Sequence, residues 1–400
     1  MGLNKKYSGY KSYDYLEKDI DYKAFKLDKE VNRVEPYLVP LTTSEEERVR
    51  RIAAENPVIS LHEHAQIFPE DMNEAFEYAR HGRHATAFEA LSQSCLDCVF
   101  ENLMDGMCAI TSKTGWKWND VLYDIGMRLC DVAHQDFVII ATKVDDILQA
   151  QREGKVAFVL CIEGAMPLEN ELDRIDILYG FGVRLMGLTY SESNALGTGL
   201  KEEKDGGLTY FGRQCVERMN KLGMAIDTAH CSDQTTLDAV EISQKPILAT
   251  HAGARSLFDI TRLKPDYAIR AIANKGGLIG VEAAPHTTLT KQHPEHNIES
   301  VMEHFEYIKN LTGIDHVTFG ADTLYGDHVD LHHVFRAALS IKQAFAGETV
   351  EEVPYVKGLE NPTEASWNIV RWLVKHGYSD ADIAKVIGGN AIRVFREIWY

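Results

Sequence analysis

No stretch of this 400-residue chain is long and apolar enough to span a bilayer as a helix, which excludes a helical membrane protein. Basic charge is also scarce: a formal net charge of −18 leaves no cationic footprint for nucleic acid or an anionic membrane, although that balance says more about solubility than about substrate. The start, MGLNKKYSGYKSYDYLEKD, lacks an apolar signal core, and Lys6 stands where a myristoylation pattern needs Ser or Thr. A cytoplasmic protein is therefore expected. The cysteines lack a pattern. Cys95, Cys98, Cys108, Cys130, Cys161, Cys215 and Cys231 form an odd, scattered set, so a reduced compartment is the simpler account. Cys95 and Cys98 make a lone CxxC in AFEALSQSCLDCVFENL, a stretch that reads as helix, and no second pair follows at zinc-ribbon spacing. Low-complexity tracts and domain linkers are absent too.

What is present is a large apolar inventory, 45% hydrophobic with 26% charged residues, enough for one big core. Residues 1–44 are polar, Tyr- and Lys-rich and weakly periodic, and read as an N-terminal arm or lid; residues 45–400 read as a single domain. Ser44 with Glu47 offers a capping box for the helix TSEEERVRRIAAEN, closed by Pro57. Eight candidate strands follow, at 57–64, about 106–112, 156–163, 183–190, 223–230, 246–251, 277–284 and 316–322. Amphipathic patterns such as VDDILQAQREG, RQCVERMNKLG, QTTLDAVEISQ and DYAIRAIANKG lie between them. Apolar strands alternating with helices that close on Gly predict an α/β fold, a (β/α)8 barrel with an N-terminal extension and a helical insertion after its first strand.

Five of these strands end in groups that bind metals: His62 and His64 in PVISLHEH, Glu163 in VAFVLCIEG, His230 in GMAIDTAH, His251 in PILATHAG and Asp322 in HVTFGAD. Active sites of such barrels lie at the C-terminal strand ends, where all six fall. His62 and His64, two apart on one strand, share a face and can point inward while Glu63 points away. A lone histidine after an apolar strand is more often a core residue, but four at equivalent ends, with a carboxylate costly to bury alone, favour a metal centre. Imidazole and carboxylate suit Zn²⁺ and similar ions. Glu163 can bridge two ions, His230 and His251 can complete the second site, and Asp322 can handle the proton of the nucleophile. Cys161 and Cys231 read as small core residues. His81, His84, His293, His296, His332 and His333 read as surface or loop residues, with the 332–333 pair able to border the pocket.

The order HxH, CIEG, LTYSESN, GLTYFGRQCVERMNKLGMAIDTAH, THAGARSLFDITR, FGAD and IGGNAIRVF resembles the membrane (renal) dipeptidase family of the amidohydrolase superfamily, from about residue 55 to the C-terminus. The resemblance implies a barrel with a binuclear zinc centre that hydrolyses dipeptides and tolerates a D-residue at the C-terminal position. It further implies that His62 and position 64 bind one zinc, His230 and His251 the other, that Glu163 bridges, that Asp322 is the acid/base and that Arg262 grips the substrate's terminal carboxylate.

The chain departs from that pattern in two places. His64 replaces the usual Asp, exchanging an anionic ligand for a neutral one, which acidifies the attacking water or recruits Asp322 as a ligand. Tyr190 stands where the family places a carbonyl-polarising histidine; a phenol can donate to an oxyanion but offers no cation. Glu282, in GLIGVEAAP, either adds negative charge to the pocket or pairs with a nearby Lys or Arg, while an ordinary role for Arg262 would be a salt bridge to Asp259 or Asp266. The reading is thus a zinc-dependent dipeptidase in which hydroxide bridging two divalent ions, expected to be Zn²⁺, attacks an amide carbonyl. A non-peptidic amide or lactone hydrolase and a non-catalytic metal-binding barrel are the alternatives. The expected partner is a small-molecule substrate, a dipeptide or related amide, with neither nucleic acid nor membrane, and homo-oligomerisation is left open.

Overall fold

A computed structural model describes residues 5–103, 116–338 and 353–399. Its strands are β1 (Ile59–Glu63), β2 (Cys98–Leu103), β3 (Val138–Ile140), β4 (Val156–Ile162), β5 (Val183–Gly187), β6 (Ala225–Asp227), β7 (Leu248–Ala252), β8 (Leu278–Val281) and β9 (Val317–Phe319). Eight of them pair in the order β1-β2-β4-β5-β6-β7-β8-β9, and every pairing is parallel. The short β3 lies on β4 ahead of β5, as Val138 faces Val156 while Val183 faces Leu160. The last seam closes just beyond the ladder: the Asp322 N–H donates to the His62 carbonyl at 3.0 Å, and the His64 N–H to the Thr323 carbonyl at 3.0 Å. The result is a (β/α)8 barrel whose seam is stitched by the residues that carry the proposed ligands.

Both faces of the strands are buried, which is why they read as unbroken apolar runs. Along β4, Val156, Phe158, Leu160 and Ile162 pack outward under the helices, and Ala157, Val159 and Cys161 alternate into the barrel. The helix Tyr210–Leu222 shows how the surrounding layer forms. The Thr209 hydroxyl caps its first turn, Cys215, Val216 and Met219 face the core, and Gly223 at φ 76° ends it one residue before the chain enters β6. The C-terminal helix Asn390–Ile398 plugs the opposite end: Phe395 and Trp399 lie 4.6 and 6.1 Å from the Phe100 ring. Each fully buried aromatic there contributes roughly 1.5–3 kcal/mol. The floor is closed, so chemistry is left to the other mouth.

Two expectations need correction, and one lies outside the described residues. The CxxC stretch is not one helix: Phe88–Gln93 is helical and Cys98 opens β2. The run expected as second strand, about 106–112, and Cys108 within it lie outside the described residues. The helix Thr43–Glu55 is capped by Thr42 with Glu45, not by Ser44 with Glu47. The insertion after β1 is helical as expected, with Ala75–His81 and Phe88–Gln93. The N-terminal segment is tied down by Lys5–Asp97 at 2.6 Å, Tyr10 Oη donating to Asp131 at 2.9 Å, and Arg33–Glu360 at 2.7 Å. Cys95, Cys98, Cys130, Cys161, Cys215 and Cys231 are all free thiols. Among the described residues no helix is long and apolar enough to cross a membrane.

Candidate metal centre

The six groups singled out at strand ends meet at the open mouth. From β1 and its extension, His62 and His64 project to the same side, with ring centroids 5.0 Å apart. Both are buried. The Asn102 amide at the end of β2 sits 2.8 Å from His62 Nδ1 and fixes the ring so that Nε2 faces Asp322 Oδ1 at 3.4 Å and Glu163 Oε1 at 3.7 Å. His64 Nε2 lies 3.2 Å from the same Asp322 oxygen. Asp322 follows β9 in a left-handed conformation, φ 54°, which a non-glycine residue keeps only when its surroundings hold it there. Burial works against its charge, yet the His62 and His64 imidazoles beside it hold its carboxyl well below the usual range.

The second group centres on Glu163, one residue past β4. Its Oε1 is 3.0 Å from His230 Nε2 and 3.3 Å from His251 Nε2, and those two nitrogens are 2.9 Å apart. Gly187 in β5 makes room for it, since a Cβ there would stand 2.0 Å from the Glu163 carbonyl oxygen. A threonine decides the His251 tautomer. Thr250 Oγ1 donates its only proton to Asp227 Oδ2 at 2.7 Å and therefore accepts from His251 Nδ1–H at 2.9 Å, leaving Nε2 as the bare nitrogen. Asp227 is itself held by the Ala229 and Thr250 amides at 3.0 and 2.8 Å. Burial pushes His62, His230 and His251 below the ordinary imidazole range, toward the neutral form that binds metals.

This chemistry fits divalent cations. A bare imidazole nitrogen facing a carboxylate oxygen is repulsive in a dry site unless a cation lies between them. Donors around a tetrahedral ion at about 2.0–2.1 Å stand roughly 3.3 Å apart, close to the spacings above. Two triads, His62–His64–Asp322 and His62–Glu163–His251, have all their donor atoms within 4.8 Å of one another. His230 adjoins the second.

The remaining predicted residues line the same mouth. The Tyr190 ring lies parallel to His230, centroids 4.1 Å apart and 19° from coplanar, with Trp116 edge-on at 5.4 Å. Its face thus buttresses His230. Arg262 reaches the site, its Nη2 donating to the His251 carbonyl at 3.1 Å. Its ion-pair partner is Glu282, fully buried, and neither Asp259 nor Asp266. Burial pushes the Glu282 carboxyl up to about 8. Lys264, buried and pushed down to about 8 by that burial, donates to the Cys231 carbonyl at 2.6 Å and pins the turn after His230.

Sequence reading missed several supports: Asn102, the Asp227–Thr250 pair, and Glu63, whose carboxylate is buried and bonded to Thr323. The i+2 spacing in HEH signals only that Glu63 points elsewhere. His84 and His296, expected at the surface or in loops, lie in irregular segments but are buried, and His332 is half-buried with its ring 5.4 Å from that of His286.

The family model described as membrane dipeptidase (peptidase family M19) matches residues 46–341. Dipeptidase tcpJ of Claviceps purpurea (strain 20.1) is 28% identical over 278 residues, covering 69% of this chain, while the chain spans 58% of that relative's length. Among solved structures, an amidohydrolase from Pseudomonas aeruginosa superposes with a TM-score of 0.72 at 24% identity, over 88% of this chain and 99% of the other. A metallo peptidase from Rhodobacter sphaeroides, liganded with a phosphinate mimic of the dipeptide L-Ala-D-Ala, superposes at 0.65 with 17% identity, over 86% and 99%. These two likenesses concern the fold; the match over residues 46–341 shows that the chain belongs to the membrane dipeptidase family, peptidase family M19.

Proposed function

We propose that this chain is a metal-dependent dipeptidase that cleaves the amide bond of dipeptides, C-terminal D-residues included, with two zinc ions as its cofactors. The observation that carries the reading is the convergence of four imidazoles and two carboxylates, donor atoms 2.9–3.7 Å apart, at the open mouth of the barrel. His62, His64 and Asp322 would hold one ion, His230 and His251 the other, and Glu163 would touch both. When bound, the ions supply Lewis acidity toward the amide carbonyl and acidify the attacking water.

The chain's own groups do the rest. Arg262 Nη1 makes no hydrogen bond among the described residues and is the donor offered to the substrate's C-terminal carboxylate. Asp322 uses one oxygen toward the imidazoles; with the other it takes the proton of the attacking water and returns it to the leaving nitrogen as the C–N bond breaks, releasing two amino acids. Tyr190, stacked on His230, holds that ring and offers its phenol toward the reacting carbonyl.

One observation favours a second reading. Glu282 already occupies the Arg262 guanidinium, which suits a substrate whose end is uncharged, such as a non-peptidic amide or a lactone. The test is a hydrolysis panel on zinc-loaded protein: L-Ala-L-Ala, L-Ala-D-Ala, their C-terminal amides, and a simple lactone. Preference for the free dipeptides supports the dipeptidase. Turnover of amides or lactone alone supports the second reading, and metal bound without any turnover would leave the non-catalytic barrel.

A further inference from the structure

We propose that Glu63 is a positioning residue whose buried carboxylate straps the segment after β9 to β1 and so sets Asp322 against His62 and His64. The proposal rests on the metal-centre reading above. Glu63 lies between the two histidines but on the other face of the strand, 2% exposed. Its Oε2 accepts both the Thr323 N–H at 2.8 Å and the Thr323 hydroxyl at 2.6 Å, and its Oε1 accepts from the Ser60 hydroxyl at 2.7 Å.

The strap is closed by backbone on either side. His64 N–H donates to the Thr323 carbonyl, and Asp322 N–H to the His62 carbonyl, each at 3.0 Å. Thr323 is thereby held through its amide, its hydroxyl and its carbonyl. The residue before it, Asp322, keeps its left-handed φ of 54° and turns Oδ1 toward His62 and His64 at 3.4 and 3.2 Å. No lysine or arginine among the described residues pairs with Glu63. A carboxylate kept so deep without a cation is costly, and what it does there is bond Thr323, the residue next to Asp322. A single oxygen accepting two donors calls for an anion or an amide oxygen. Glutamine can reproduce both bonds to Thr323, with Ser60 turning to accept; alanine can reproduce none.

The experiment is chelator-competition titration of Zn²⁺ on the full chain, with Co²⁺ visible absorption distinguishing the two ions, on wild type, Glu63→Gln, Glu63→Ala and Thr323→Val. Glu63→Ala should weaken one ion by about 10–100-fold and leave the other unchanged, the scale for losing a group that orients a ligand. Glu63→Gln should stay within about threefold of wild type, and Thr323→Val, which keeps the amide donor, should weaken the same ion by about three- to tenfold. Should Glu63→Ala fail to fold, Thr323→Val decides: no change in either ion overturns the strap. Wild-type affinity for both ions in Glu63→Ala, or equal weakening of both, likewise overturns it, since a merely structural glutamate would act on neither or on both. A wild type that binds no divalent ion would overturn the metal-centre reading and the strap with it, a result separable from the others.

Discussion

Thr250→Val removes one hydroxyl and keeps the shape of the side chain. That hydroxyl donates to Asp227 at 2.7 Å and accepts from His251 Nδ1–H at 2.9 Å, so valine strands a buried N–H and deprives a buried carboxylate of one of its three donors. Leaving such groups unsatisfied costs about 1–3 kcal/mol each, which should appear as lost stability of the metal-free protein. The second effect is specific to the site. Nothing then selects the tautomer with a bare Nε2, and the ion shared by His230 and His251 should bind about 10–100-fold more weakly, or about 1.4–2.7 kcal/mol. Thr318→Val is the control, because its buried hydroxyl donates at 2.7 Å to the Val386 carbonyl, on a strand that carries no ligand within its own span. Zinc affinity from chelator competition and urea unfolding of the apo-proteins separate the two effects. Equal losses of stability with no difference in metal affinity between the two variants would refute the relay.

Three further outcomes follow from the site. Asp322→Asn should lower turnover by roughly two to four orders of magnitude and also weaken the ion held by His62 and His64; unchanged affinity for both ions would confine Asp322 to proton transfer. Glu282→Gln frees the Arg262 guanidinium, so KM for free dipeptides should fall by about tenfold while that of their amides stays put; equal shifts would assign the pair to the fold. His296 is buried away from the proposed ligands and pushed down to about 3 by burial, with the neighbouring histidines adding to it. A histidine depressed in the folded state gives stability that is present above its unfolded value near 6.5 and lost as pH falls below it. Between pH 7 and 5 this should cost about 2 kcal/mol, and urea unfolding of His296→Gln should show that much less acid sensitivity than wild type.

The barrel and the six convergent groups were legible because parallel strands buried on both faces are apolar throughout, so a histidine or carboxylate at their ends stands out. The same property hid β2. CVFENL follows the helix Phe88–Gln93 with no Gly or Pro between them, and a short apolar run has no period that tells strand from helix. With that strand misread, Asn102 could not be placed beside His62. The shifted helix cap has a local cause: in TTSEEE, Thr42, Thr43 and Ser44 each precede a Glu by three residues, and only packing chooses among them. Contacts between distant segments, Glu63 with Thr323, Thr250 with Asp227 and Arg262 with Glu282, depend on the barrel's closure and register. One chain's pattern carries no signal for them.

The most direct measurement is metal content with activity, by elemental analysis and dipeptide hydrolysis on the same samples of wild type and His251→Ala. The account predicts close to two divalent ions per chain in wild type, one fewer in His251→Ala, and activity lost with it. Metal-free protein that hydrolyses dipeptides as fast as the loaded protein would contradict it.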